Sequence, residues 1–240
     1  MLEKSEAIVL HTIKYGESKI IVDMFTRRWG HLSYIIPLPK TNKSRLKKQY
    51  FQPMSLLGIE CEVRPRVSLQ KLADARLLFP FVSIPLSPEK LAISMFVAEF
   101  LYYSLRSEQC NEPLFDYISG SIQWLDAADE GFANFHLAFL MHLSRFLGFY
   151  PNLEEDDSQY FDLREGRFSK NAPLHSDFLK PEEARMIHLL MRMDFPTMHL
   201  YRLSRQDRHR IMEVLLQYYK LHLPDFPEMK SLAVLRQLWT

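Results

Sequence analysis

Between Asp23 and Glu60 the chain has no acidic residue, yet it carries Arg27, Arg28, Lys40, Lys43, Arg45, Lys47 and Lys48. Aromatic side chains run through the same window: Phe25, Trp29, Tyr34, Tyr50 and Phe51. Cations held close together neutralise a phosphodiester backbone, and flat rings between them stack bases, so this composition suits nucleic acid. A solvated loop is the commoner origin of an isolated basic run. This run is long, free of acids and set in a polarised chain. Residues 1–80 hold 14 Lys and Arg against 7 Asp and Glu, and residues 81–240 hold 16 against 22, so +7 and −6 lie hidden in a net charge of +1. Trp29 has the best case for stacking, between two arginines and a glycine, although a ring that covers the end of a barrel explains it equally well. Tyr34, Tyr50 and Phe51 alternate within the expected strands and are expected in the core.

Signatures of catalysis are missing. No GxxxxGK[ST] loop, GxSxG elbow, HExxH pair or EF-hand loop occurs. The acids Glu154 to Asp157 follow a proline and read as a solvated loop. His136 and His142 are six apart on an expected helix and cannot share a face as metal ligands. Cys61 ends an expected strand with no base beside it. It forms no CxxC with Cys110, which argues against a disulfide framework or structural zinc and suits a reducing cytoplasm. The expectation is a chain that is no enzyme and holds no metal or cofactor. The first residues lack the basic and apolar regions of a secretory signal, and the longest apolar stretch, Leu91 to Leu105, is broken by Glu99 and too short to span a bilayer.

The elements that position the basic run change period near residue 80. Before it, short β-branched runs are separated by turn signals: 6–14, 19–26 in strict alternation, a third over Leu32, Tyr34 and Ile36 that Pro37 and Pro39 end, then 50–63 and 67–77. Five short strands fit a small Greek-key barrel of the oligonucleotide-binding (OB) type; an SH3-like barrel uses a similar number. After residue 80 the pattern is helical. Ser87-Pro88-Glu89 opens a helix that is apolar on nearly every side, and 111–126 and 132–148 follow, the last closed by Gly148 with Pro151 beyond. Residues 150–179 interrupt the helices, with a small hairpin over Tyr160 to Phe168. Pro181 opens another helix, Ser204 to Asp207 resembles a capping box, and 230–238 form a last helix. The expected fold is α+β: an OB-type domain over 1–80 and a helical domain over 81–240.

Several segments, in order, resemble the RecO family of bacterial DNA repair and recombination mediators. They are Glu6-Ala-Ile-Val-Leu10, Tyr15-Gly-Glu-Ser18, Phe25-Thr-Arg27 with Gly30-His-Leu-Ser33, Lys43-Ser-Arg45 with Gln52-Pro53, Gly148-Phe-Tyr-Pro151 and Lys230-Ser-Leu232. The resemblance implies an OB domain and a helical domain, binding of single- and double-stranded DNA, and annealing of complementary strands. It also implies partnership with single-stranded DNA-binding protein, RecR and, indirectly, RecA. Arg27, Lys43 and Arg45 match by position as DNA contacts. Many relatives place four cysteines between the parts of the helical domain, whereas residues 150–175 contain none here, so packing is expected to hold that hairpin. A single-strand binder's acidic, phenylalanine-ended tail needs cations beside an apolar surface. Arg202, Arg205, Arg208 and Arg210, beside Tyr201 and Leu203, are the candidates, against the alternative of a helix start with a solvated basic face. An RNA-binding barrel and a scaffold for acidic protein partners remain open as other functions.

Overall fold

The computed structural model describes residues 2–37, 46–64, 66–152 and 159–237. Alternation builds the first part. β1 (Glu3–Tyr15), β2 (Lys19–Thr26), β3 (Gly30–Pro37), β4 (Leu56–Cys61) and β5 (Leu69–Phe79) close into a barrel in the order β1-β2-β3-β5-β4. Every pairing is antiparallel except β3 with β5, the topology of an OB-type barrel. β1 is longer than the sequence pattern indicates because it serves two neighbours. Its first half pairs β4, Glu3 opposite Cys61, and its second half pairs β2, Tyr15 opposite Lys19, with an irregularity between Val9 and His11 that lets it bend. The inward-facing residues include Ala7, Val9, Ile20, Val22, Met24, Tyr34, Leu57, Ile59 and Cys61.

The run 50–63 departs from expectation. Lys48–Phe51 is a 3-10 turn and β4 starts only at Leu56. Between them Pro53 has no N–H for a ladder, and Met54 sits in the left-handed region at φ 66°, so no strand can continue through. Phe51 still enters the barrel core, and Tyr50 packs against it.

Helices α1 (Pro88–Ser104), α2 (Glu112–Ala127) and α6 (Ser231–Gln237) group with the barrel in one compact unit, Met1–Ala127 with Met229–Leu238. Ser87 caps α1 through the Lys90 N–H, and α1 buries residues around most of its circumference. Two of its three charges have structural uses beyond its own first turn. Lys90 is buried and donates to Ser83 Oγ at 2.6 Å and to the Asp126 carbonyl at 3.2 Å. Glu99, the residue that breaks the apolar run, accepts from the N–H groups of Lys230 and Ser231 at 3.0 and 2.8 Å and so caps α6.

The second unit, centred on Ala128–Glu228, contains α3 (Phe135–Phe146), α4 (Pro181–Met191), α5 (Arg205–His222) and a small sheet of β6 (Tyr160–Asp162), β7 (Arg167–Ser169) and β8 (Phe178–Leu179) in the order β7-β6-β8. The start expected for α3 at 132 is a 3-10 turn over Phe132–Asn134. α3 ends in a Schellman turn: Gly148 has φ 85° and the Phe149 N–H reaches the Ser144 carbonyl at 3.0 Å. Phe149 then meets Tyr218, Tyr219 and His222 of α5, and Tyr218 donates to its carbonyl at 2.5 Å. Among the described residues no helix is long and apolar enough to cross a membrane.

Candidate nucleic-acid interface

The β2–β3 turn carries Arg27, Arg28 and Trp29, and three devices fix it. Thr26 Oγ1 donates to the Gly30 carbonyl at 2.8 Å and accepts the Trp29 N–H at 3.1 Å. The loop after α1 lies directly on Gly30. A Cβ there would meet the Glu108 carbonyl oxygen at 2.4 Å, and φ is 70°, so only glycine fits. The His31 N–H donates to that same oxygen at 3.1 Å. Such a turn presents its side chains with little conformational entropy left to lose on binding.

The three side chains have different duties. Arg27 donates to Glu6 and to Asp116 of α2, each at 2.7 Å, and lies 4.4 Å over the Phe115 ring. The Asp116 carboxylate, then Glu6, holds its guanidinium above its ordinary value. Two of the motif segments therefore meet physically, since Arg27 and Glu6 also share a backbone hydrogen bond of 3.0 Å. Arg28 is exposed, 5.4 Å from the Trp29 ring centroid, and pairs with Glu3 at 2.8 Å. Trp29 is half-buried, packed against the barrel core. It covers the barrel end and still offers ring surface beside a cation.

Lys47 and Lys48 are exposed, with Lys47 5.8 Å from the Tyr50 ring centroid. Lys40, Lys43 and Arg45 lie outside the described residues. Thr26 opposes Gly30 at one end of the hairpin and Lys19 opposes Pro37 at the other, so β3 ends away from Arg27 and Arg28. Eight strand residues separate those ends by about 25 Å.

Beside the turn runs a groove of about 470 Å³ on the outer face of β1, β4 and β5, lined by Lys4, Glu6, Arg27, Arg28, Glu60 and Arg76 among others. Sequence reading missed it, because Lys4 and Arg76 are far apart in the chain and only strand register joins them. Also unforeseen is a polar cluster on β1–β3. Asp23 is buried, accepts from Ser33 Oγ at 2.5 Å and lies 3.5 Å from His11 Nδ1, while His11 stacks on Tyr102 of α1 at 4.5 Å. Burial raises the Asp23 carboxyl, but the nearby His11 ring and the hydrogen bond from Ser33 outweigh it and leave the group below its ordinary value.

In the second unit the four candidate arginines divide. Arg202 and Arg205 are exposed. Arg208 is half-buried and donates to the Leu203 carbonyl at 2.7 Å. Arg210 donates to Glu183 of α4 at 2.6 Å and reaches Glu213 at 3.4 Å. The α5 N-terminus has a complete capping box between Ser204 and Asp207.

Cys61 and His136 are packed away, whereas the free thiol of Cys110 is exposed. Cys61 is buried, its thiol pushed up by burial, and Tyr34 Oη lies 3.6 Å from its sulfur. His136 is buried and its pKa falls to about 3, through burial and then the charges of Arg208 and His209. Among the described residues no three His, Cys, Asp or Glu side chains stand where they could hold a metal ion.

Comparison with known proteins agrees with this architecture. Residues 1–81 match the family model for the recombination protein O N terminal, and residues 85–232 the model for its C terminal. The chain is 48% identical over 241 residues to the DNA repair protein RecO of Phocaeicola vulgatus, with all of both chains covered. It is 46% identical over the same span to that of Bacteroides fragilis. With the RecO protein of Porphyromonas gingivalis it shares 36% over 244 residues, again with both chains fully covered. An OB-type barrel with a rigid cation–aromatic turn, a following helical region and full-length similarity together place this chain in the recombination protein O family.

Proposed function

We propose that this protein is a non-catalytic DNA repair and recombination mediator of the cytoplasm, working at the nucleoid. It binds single- and double-stranded DNA, anneals complementary strands, and helps to load recombinase on DNA coated with single-stranded DNA-binding protein. Its partners in this reading are that protein, RecR and, indirectly, RecA. The observation that carries it is the β2–β3 turn. Arg28 and Trp29 sit together on an OB-type barrel in a turn that Gly30 and the loop above it hold rigid. Cation and ring at one fixed place supply phosphate neutralisation and stacking without reading sequence.

The test is a salt titration of oligonucleotide binding. A protein with Lys43, Arg45, Lys47 and Lys48 changed to alanine is expected to bind every sequence more weakly and with a flatter slope, by about 0.7 per lost single-strand phosphate contact. An unchanged slope would make the segment a solvated loop. Equal competition by RNA, or binding to acidic peptides without DNA, would move the assignment to the other classes.

For the single-strand binder's tail, Arg202 and Arg205 are exposed, as is Arg210, which pairs with Glu183, and Leu200 is 67% exposed, an apolar surface for a terminal phenylalanine. Fluorescence anisotropy of a labelled tail peptide is expected to weaken several-fold in an Arg202→Glu, Arg205→Glu protein. Equal affinity in both proteins would place the receptor elsewhere.

A further inference from the structure

The outer face of β1, β4 and β5 carries charge that the turn and the basic segment do not use. Register sets it in two rows. Glu6 stands opposite Gly58, and Gly58 opposite Arg76. Two residues along, Lys4 stands opposite Glu60, and Glu60 opposite Asp74. Arg27 and Arg28 close the rows from the β2–β3 turn, so the 470 Å³ groove has Lys4, Arg27, Arg28 and Arg76 against Glu6, Glu60 and Asp74.

Gly58 forms the floor. A Cβ at that position would lie 3.2 Å from Arg76 Nε and 3.1 Å from Leu78 Cδ2, so both side chains rest against bare backbone. Glycine inside a strand costs stability and marks a place where something approaches the backbone closely. Three of the four cations are already shared with carboxylates: Lys4 with Glu60 at 3.1 Å, Arg27 with Glu6 and Asp116 at 2.7 Å each, and Arg28 with Glu3 at 2.8 Å. Arg76 makes no ion pair among the described residues.

We propose that this groove is a second track for single-stranded nucleic acid, guarded by Glu3 and Glu60, which hold Arg28 and Lys4 in reserve. The inference rests on the nucleic-acid reading given above. Water screens exposed pairs, so a phosphate competes with each carboxylate on nearly equal terms. The exchange leaves a physical signature. A phosphate that takes a cation from a carboxylate frees one counterion from the nucleic acid, while the abandoned carboxylate gathers one from solution. Such contacts add affinity with almost no salt dependence, unlike those of free lysines. Neutralising the guards converts them to ordinary contacts.

The experiment compares wild type with a Glu3→Gln, Glu60→Gln protein, using an oligo(dT) strand in fluorescence anisotropy across a salt series. Expected is a rise in affinity of about threefold or more at low salt and a slope steeper by up to about 1.4, two phosphates at about 0.7 each. Adding Gly58→Val, which fills the floor, is expected to cancel the gain. Thermal unfolding checks that protein, and Arg76→Ala serves in its place if the valine disrupts the barrel. A charge-matched Glu130→Gln, Glu182→Gln protein is expected to keep the wild-type slope. Wild-type affinity and slope in the Glu3→Gln, Glu60→Gln protein would overturn the groove and leave the function of the basic segment intact, provided its alanine variant still loses binding. A gain that survives both floor variants, or that the charge-matched control reproduces, also overturns it. So does a gain seen with an acidic peptide but not with oligo(dT), which would make the groove a protein site. Absence of oligo(dT) binding by wild type would overturn the nucleic-acid reading itself.

Discussion

The chain has two conspicuous basic stretches, one around the β2–β3 hairpin and one from Arg202 to Arg210, and folding treats them differently. At the hairpin, Arg27 is spent on Glu6, Asp116 and the Phe115 ring, while Arg28 stays exposed next to Trp29. In the second unit the cations further into α5 turn inward or sideways. Arg208 reaches back to the Leu203 carbonyl, and Arg210 ties α5 to Glu183 of α4. Arginines in a first helical turn oppose the helix dipole. Arg208, at the end of that turn, bonds to a specific oxygen, and the Ser204–Asp207 capping box serves the helix end. A cluster of like charges in sequence is thus a set of individual duties in space, and only its exposed members are available to a ligand.

Glycines give the largest contrast. Gly30→Val is expected to destabilise the barrel unit by about 3 kcal/mol or more, since it adds a left-handed strain to a collision with the Glu108 backbone. Gly148→Ala has the same strain at φ 85° with nothing within 4 Å, and about 1–2 kcal/mol is expected. Chemical denaturation of both proteins measures the difference; equal costs would mean that the loop does not press on Gly30.

The pH dependence should separate next. His136 titrates near 3 in the fold, against an ordinary value of 6.5. The fold thus favours the neutral ring, and its contribution is complete above about pH 6.5 and lost as pH falls towards 3. The expected slope is on the order of 1 kcal/mol per pH unit in that window. His136→Leu should flatten it, read as unfolding midpoint against pH. Asp23 is also held below its ordinary value of 3.8, so its contribution is lost only below about pH 4.

Among the arginines, Arg208→Ala is expected to cost about 1–2 kcal/mol through the lost bond to a carbonyl, and Arg202→Ala about 0.5 kcal/mol or less. A reversal in thermal unfolding would exchange their assigned duties. The smallest expected effect is that of a chelator. The β6–β7–β8 sheet is closed by buried Phe161, Phe168 and Leu179, with His175 paired to Asp162 at 3.1 Å. EDTA should leave the unfolding temperature unchanged, and elemental analysis should find no tightly held zinc.

Much of the fold was legible along the chain. Period-two alternation gave β2 at 19–26, the Ser87-Pro88 start gave α1, and Gly148 gave the end of α3, because each of these signals acts over a few neighbouring residues. The strand expected across 50–63 failed where Pro53 and Met54 break the backbone, a local effect that the apolar count outweighed. Of the candidate site, Arg28, Trp29, Lys47 and Lys48 could be named from composition. That Arg27 would be doubly paired could not, since Asp116 lies 89 residues away on another element.

Composition and periodicity by themselves determined that a basic, aromatic, strand-forming first part precedes a helical remainder, because charge balance and side-chain period are properties of the chain itself. Tertiary structure alone decided which of the described cations face solvent and which meet carboxylates. It alone also joined Lys4, Gly58 and Arg76 in one groove. Those outcomes depend on strand register and on contacts between distant residues, where a shift of one residue turns every side chain to the other face.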